Sequence, residues 1–120
     1  MEKRDMILIL DLGSLENDRL VRELADLGVY SEIHPCNITL DEVNALPNVK
    51  GIILNGGPNR MADGEEMDVA IEIYNAPMPV LTVDHKGDDP WPDGEEKRKE
   101  TLSLFAFGLC GAEPVEPAVS

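Results

Sequence analysis

Met6–Asp11 (MILILD) is a short, unbroken apolar run that ends in Asp-Leu-Gly-Ser, the pattern of a strand buried on both faces and followed by a turn. Ser14 or Asn17 is placed to cap the next segment, where Leu20, Val21, Leu24 and Leu27 recur at helical spacing. Gly28 stands where a helix ends on a left-handed residue. Val29–His34 reads as a second strand closed by Pro35. Thr39 followed three residues later by Glu42 is a capping box for a short helix. Lys50–Leu54 is a third strand with the turn Asn55-Gly56-Gly57-Pro58 after it. Met67, Ala70, Ile71 and Tyr74 predict a helix over 65–74, Pro79–Val83 is a fourth strand, and Glu95–Phe107 is a last helix ending at Gly108.

Strands alternating with helices predict right-handed parallel crossovers and a sheet covered on both faces. The expected fold is α/β, a three-layer flavodoxin-like sheet in strand order 2-1-3-4. One domain is expected over residues 1–112, with a flexible tail over 113–120. Residues 84–94, DHKGDDPWPDG, read as a polar, proline-rich loop.

The chain of 120 residues is 42% hydrophobic but only 4% aromatic, so its core must be aliphatic. No apolar run approaches the roughly 18 residues that span a bilayer, and the basic start is followed by too short an apolar stretch for a secretion signal. A cytoplasmic protein is the expectation, with no membrane partner. The net charge of −14 excludes nucleic acid as a partner, because binding a polyanion needs Lys and Arg to displace its counterions. Cys36 and Cys110 form no C-x-x-C motif and read as packed, reduced thiols.

Several stretches resemble one family. ILILDLGS (7–14), RELADLGVYSEIHP (22–35), KGIILNGGPN (50–59) and MPVL (78–81) are similar to the opening of the class I (triad-type) glutamine amidotransferase domain of GMP synthase. DGEEKRKETLSLFAFGLCG (93–111) resembles the last helix of the same domain, whose terminal Cys-Gly is not the nucleophile. The resemblance implies a setting in purine biosynthesis. It also implies that the Gly56-Gly57 turn supplies a backbone N–H to an oxyanion hole. In the family, the strand after PVL delivers a nucleophilic cysteine in a G-x-C-x-G turn. This sequence reads Thr82-Val83-Asp84-His85-Lys86, so Asp84 stands at a degenerate nucleophile position and the flanking glycines are gone. His85 is followed by Lys86-Gly87 and not by the family's Pro-Glu. The resemblance therefore implies a large internal deletion between Leu81 and Asp93, no catalytic residue, and lost glutaminase activity.

Each candidate has a plain structural alternative. Gly56 and Gly57 also suit any tight turn. Asp11, Asp84, Asp88, Asp89 and Asp93 would share the C-terminal edge of the sheet, where carboxylates hold Mg²⁺ or Ca²⁺, but their spacing matches no calcium loop and equally suits a solvated acidic loop. No metal or other cofactor is expected. Asn55 stands where a phospho-receiver domain would need Asp, and His34 reads as structural. Trp91, between Pro90 and Pro92, either lids the sheet edge or anchors a partner. The leading expectation is a binding or regulatory module that forms a homodimer or docks on a protein. The alternatives are a metal-dependent enzyme built on Asp11, Asp84 and Asp89, or a residual amidotransferase subunit.

Overall fold

The computed structural model describes residues 5–14, 16–46, 48–57, 61–62, 64–66, 68–83, 91–92 and 94–111. Its elements in chain order are β1 (Met6–Leu12), α1 (Asn17–Asp26), β2 (Tyr30–Pro35), α2 (Leu40–Ala45), β3 (Val49–Gly56), β4 (Met61–Ala62) and β5 (Glu65–Glu66). They continue with α3 (Ile71–Tyr74), β6 (Val80–Val83), α4 (Glu95–Ser103) and a π-helical turn over Leu104–Leu109. The main sheet runs β2-β1-β3-β6 with every pair parallel, the order expected from the alternation of strand and helix.

β1 is apolar at every position but Asp11 because both of its faces are covered. Ile7 and Ile9 join Ile53 of β3 beneath Leu20 and Leu24 of α1 and Leu102 and Phe105 of the last helix. Leu8, Leu10 and Leu12 join Ile52 and Leu54 on the other face, beneath Val43 of α2 and Ile73 of α3. This split fixes the layers. α1 and α4 lie on one side of the sheet and α2 and α3 on the other.

The ends of α1 and α2 follow from local chemistry. Gly28 adopts φ +82°, its N–H reaches the Ala25 carbonyl and the Val29 N–H reaches the Leu24 carbonyl, which closes α1 in a Schellman motif. At α2 the Thr39 hydroxyl accepts from the Glu42 N–H at 3.1 Å, while Glu42 Oε1 accepts from the Thr39 N–H at 3.1 Å.

Three expectations are corrected. Asn17 is the first residue of α1 and not its cap, and Ser14 Oγ accepts from the Glu16 N–H at 3.0 Å instead of capping the helix. The helix expected over 65–74 is a single turn, Ile71–Tyr74, preceded by the β4-β5 hairpin with Gly64 at φ +81°. Asp68 accounts for the short helix: its carboxylate accepts from the Val69 N–H at 2.8 Å, a local bond that competes with helical pairing. The last helix widens into the π turn after Ser103, which turns Phe105 and Ala106 into the core. The tail over 113–120 and the loop over 84–90 lie outside the described residues.

The π turn is accommodated by a glycine in the sheet. A Cβ on Gly51 would stand 2.3 Å from Cys110 Sγ and 3.1 Å from the Phe105 ring. Gly51→Ala is expected to destabilise the domain by about 1–3 kcal/mol through overpacking. Adding Cys110→Ala should recover part of that loss. Urea melts of the two single variants and the double variant measure the coupling, and purely additive losses would contradict this packing.

Candidate functional site

The strand order places a crevice between β1 and β3. β1 sends its chain to β2 on one side, and the chain returns to β3 on the other, so the crossovers diverge at the C-terminal ends of these two strands. The turns that follow them meet there. Gly13 and Gly56 form an isolated antiparallel bridge. A Cβ on Gly57 would stand 2.7 Å from the Ser14 Cα and 2.8 Å from the Gly13 carbonyl oxygen. Glycine at 57 is therefore required by the close approach of two backbones.

A polar network closes the same edge. Asn55, at the end of β3, is fully buried. Its Nδ2 donates to Asn17 Oδ1 at 2.8 Å, and its Oδ1 accepts from the Trp91 indole N–H at 2.9 Å. The indole in turn lies over the Arg98 guanidinium, 4.8 Å from the ring centroid. Arg98 is 3% exposed and is held by a forked pair to Glu23, with Nε at 2.8 Å from Oε2 and Nη2 at 2.6 Å from Oε1. Glu16 lies 3.7 Å from its Nη1. The hydrogen bonds to Glu23 push the Arg98 pKa above its ordinary value, so the group stays charged. A buried cation is tolerated only when paired and hydrogen-bonded in this way.

Gly56, Gly57 and Trp91 are thus gathered at one edge of the sheet. The half-buried Trp91 indole makes intramolecular contacts with Asn55 and Arg98. Asp84, the degenerate nucleophile position, and Asp89 lie outside the described residues. Asp11 Oδ1 accepts from the Gly13 N–H at 2.9 Å and so holds the β1 turn. Among the described residues, no group of three or more His, Cys, Asp or Glu side chains is arranged to hold a metal ion. A separate groove of about 290 Å³ between α1 and α4 is lined by Arg19, Arg22, Glu23, Asp26, Glu95 and Lys99. No helix among the described residues is long and apolar enough to cross a membrane.

From sequence, Asn17 reads only as a helix cap and Asn55 only as a residue unsuited to phosphoacceptance, and Arg98 is not singled out. Asn55 carried a signal, as the one polar residue closing an apolar strand. Arg98 is hidden in the run EEKRKE, yet it stands one helical turn before Leu102 on the stripe that continues to Phe105. His34 is half-buried on β2, 3.0 Å from Glu32, whose pKa is held below its ordinary value by hydrogen bonds from Tyr30 and then His34.

Neither thiol is activated. Burial pushes Cys36 up, with Asp11 and Asp68 adding to the shift, and burial alone pushes Cys110 to about 11. Cys110 packs over Gly51, four residues along β3 from the Asn55 end, and so is remote from the glycine crevice.

A model of the class I glutamine amidotransferase family matches residues 8–83, ending at the last residue of β6. A Bacteroides thetaiotaomicron protein named "Putative GMP synthase (glutamine-hydrolyzing) 2" is 47% identical over 117 residues, covering 92% of this chain and 27% of that protein. Glutamine-hydrolyzing GMP synthases of Staphylococcus saprophyticus and Staphylococcus carnosus are 40% and 42% identical over 82 residues, covering 68% of this chain and 16% of theirs. The chain thus spans about a quarter or less of the length of these relatives. The Bacteroides alignment fits 92% of 120 residues, about 110, into 117 positions, which leaves about seven for gaps. Against that relative there is no room for a large internal deletion, and the segment beyond Leu81 is carried through the alignment.

Two measurements test the site. Trp91→Phe keeps a ring over Arg98 but loses the N–H to Asn55 and should cost about 1 kcal/mol. Trp91→Ala should cost roughly 2–3 kcal/mol through the lost packing, read from thermal or urea melts. For Cys110, the folded chain keeps its proton between the ordinary thiol value of 9.0 and about 11, while the unfolded chain loses it. Stability should therefore fall as pH rises through that window. Alkylation of Cys110 should stay slow until the pH approaches 11, and fast labelling near neutrality would contradict the burial.

Proposed function

Because the chain belongs to the class I glutamine amidotransferase family, we propose that it is a binding or regulatory module of that family with no glutaminase activity of its own. The observation that carries this reading lies at the end of β6. Glutamine hydrolysis by a triad enzyme needs a thiolate at a sharp strand-to-helix turn, opposite the oxyanion donors. Here Val83 is followed by Asp84, and the elbow's flanking glycines are replaced by Thr82 and Lys86.

The remaining geometry supports the same reading. The two cysteines of the chain, Cys36 and Cys110, lie at the end of β2 and over Gly51, and burial holds both in the thiol form. A carboxylate at 84 is a poor substitute, because it cannot form the thioester through which the family works. The Gly56-Gly57 turn would then serve as a structural remnant or as a backbone cradle for a ligand that is bound and not cleaved. The relatives' names suggest a setting beside guanine nucleotide synthesis, within purine biosynthesis.

Those names also favour a second reading, an amidotransferase subunit that retains turnover. Ammonia release from L-glutamine separates the two, and the expected result is a rate equal to the buffer blank. Turnover that survives Cys36→Ala and Cys110→Ala together would show that another group does the chemistry. Turnover lost in either variant would restore the second reading. Asp84→Cys alone should form no covalent adduct with an electrophilic glutamine analogue, because a nucleophile elbow needs small neighbours on both sides. Labelling of that variant at the rate of an activated thiol would show that the elbow and its base survive.

A further inference from the structure

α1 and α4 lie on one face of the sheet and run in the same direction. α1 leaves the C-terminal end of β1 and returns to the start of the parallel strand β2. α4 follows Trp91, which bonds Asn55 at the end of β3, and its π turn is followed by Cys110 over Gly51 near the start of that strand. The Arg98–Glu23 fork fixes the register between the two helices. Arg22 precedes Glu23 and Lys99 follows Arg98, so both cations fall near the middle of the groove that they line. Asp26 lies about one turn along α1 toward one end, and Glu95 about one turn along α4 toward the other.

The charges of this groove are not equally satisfied. Glu23 is occupied by Arg98 at 2.6 and 2.8 Å, and Arg19 reaches Glu16 at 3.4 Å and Glu23 at 3.9 Å. Among the described residues, Arg22 and Lys99 form no ion pair. Each has an acid four residues away on its own helix, Asp26 and Glu95, and Glu95 before Lys99 is the favoured order for such a pair. Both cations line the cavity instead. Cations are also scarce in this chain. It has 10 Lys and Arg against 24 Asp and Glu, and Arg19, Arg22 and Lys99 meet here. Like charges around one space repel, and an anion between them removes that cost.

We infer that this groove binds a small oxyanion, a phosphate or carboxylate group held between Arg22 and Lys99. A guanidinium offers a fork that matches either group, and an ammonium adds a point charge. The volume of about 290 Å³ stands at the lower limit of small-molecule sites, which begin at roughly 300 Å³, and so suits a compact ligand. Asp26 and Glu95 at the ends repel a polyanion and accept from hydrogen-bond donors on the rest of the ligand. The groove is separate from the glycine crevice, yet Glu23 is part of its wall and also holds the guanidinium on which Trp91 lies. The inference holds whether or not the domain turns over glutamine.

Calorimetric titration of the full chain with inorganic phosphate, and separately with acetate, tests it at an ionic strength kept constant with chloride. Saturable binding of at least one anion is expected, in the roughly millimolar range that an open, solvated groove allows. Phosphate binding alone assigns a phosphate ester as the occupant, acetate binding alone a carboxylate, and binding of both fits the shared chemistry. Arg22→Gln and Lys99→Gln should each weaken binding about tenfold, as the loss of one charged hydrogen bond predicts. Both side chains are exposed, so the circular dichroism spectrum of each variant should match the wild type. Lys97→Gln, on α4 but outside the groove, should leave binding unchanged. Absence of saturable binding by either anion overturns the inference. So does binding that survives Arg22→Gln and Lys99→Gln together, or that Lys97→Gln weakens as much.

Discussion

β1 and β3 carry apolar side chains on both faces, and neither face can be left in water. Each fully buried Ile or Leu is worth about 1.5–3 kcal/mol relative to exposure, and these two strands supply most of the largest buried side chains in the domain. That demand draws a helical layer to each side of the sheet and sets β1 and β3 at its centre. It also brings the turns after them together, because central strands of matched register end at the same height, with Leu12 opposite Gly56. The glycine crevice is a consequence of core burial before it is anything chemical.

The network at the sheet edge then determines what that crevice exposes. Arg98, Glu23 and Glu16 tie α4 to α1, and Trp91 rests on the guanidinium with its N–H on Asn55. Both polar ends of the Asn55 amide are occupied from within the chain. A polar side chain buried this deeply is costly unless satisfied, and its partners come from two separate segments. The same contacts that stabilise the edge also cover it.

The relatives and this chain share what the core requires. The family match runs from β1 to the last residue of β6 and covers the strands that build the sheet. Sheet geometry depends on apolar patterning that many residues can satisfy, while a nucleophile depends on one thiol and two small neighbours.

Much of the fold was legible in the sequence because its signals are local. Unbroken apolar runs mark doubly covered strands, Gly28 marks the end of α1, and Thr39 with Glu42 marks the start of α2, each through interactions within a few residues. Strand order followed from the alternation of elements and the handedness of crossovers. The glycine pair after β3 was legible as a turn, and Asp at 84 needed no coordinates. Contacts between distant segments decided the rest. The π turn packs Phe105 and Cys110 against Gly51. The short α3 reflects Asp68 bonding to its own neighbourhood. The roles of Asn17, Asn55 and Arg98 arise only when α1, β3 and α4 converge, since an asparagine or arginine in isolation does not indicate which buried partner it will meet.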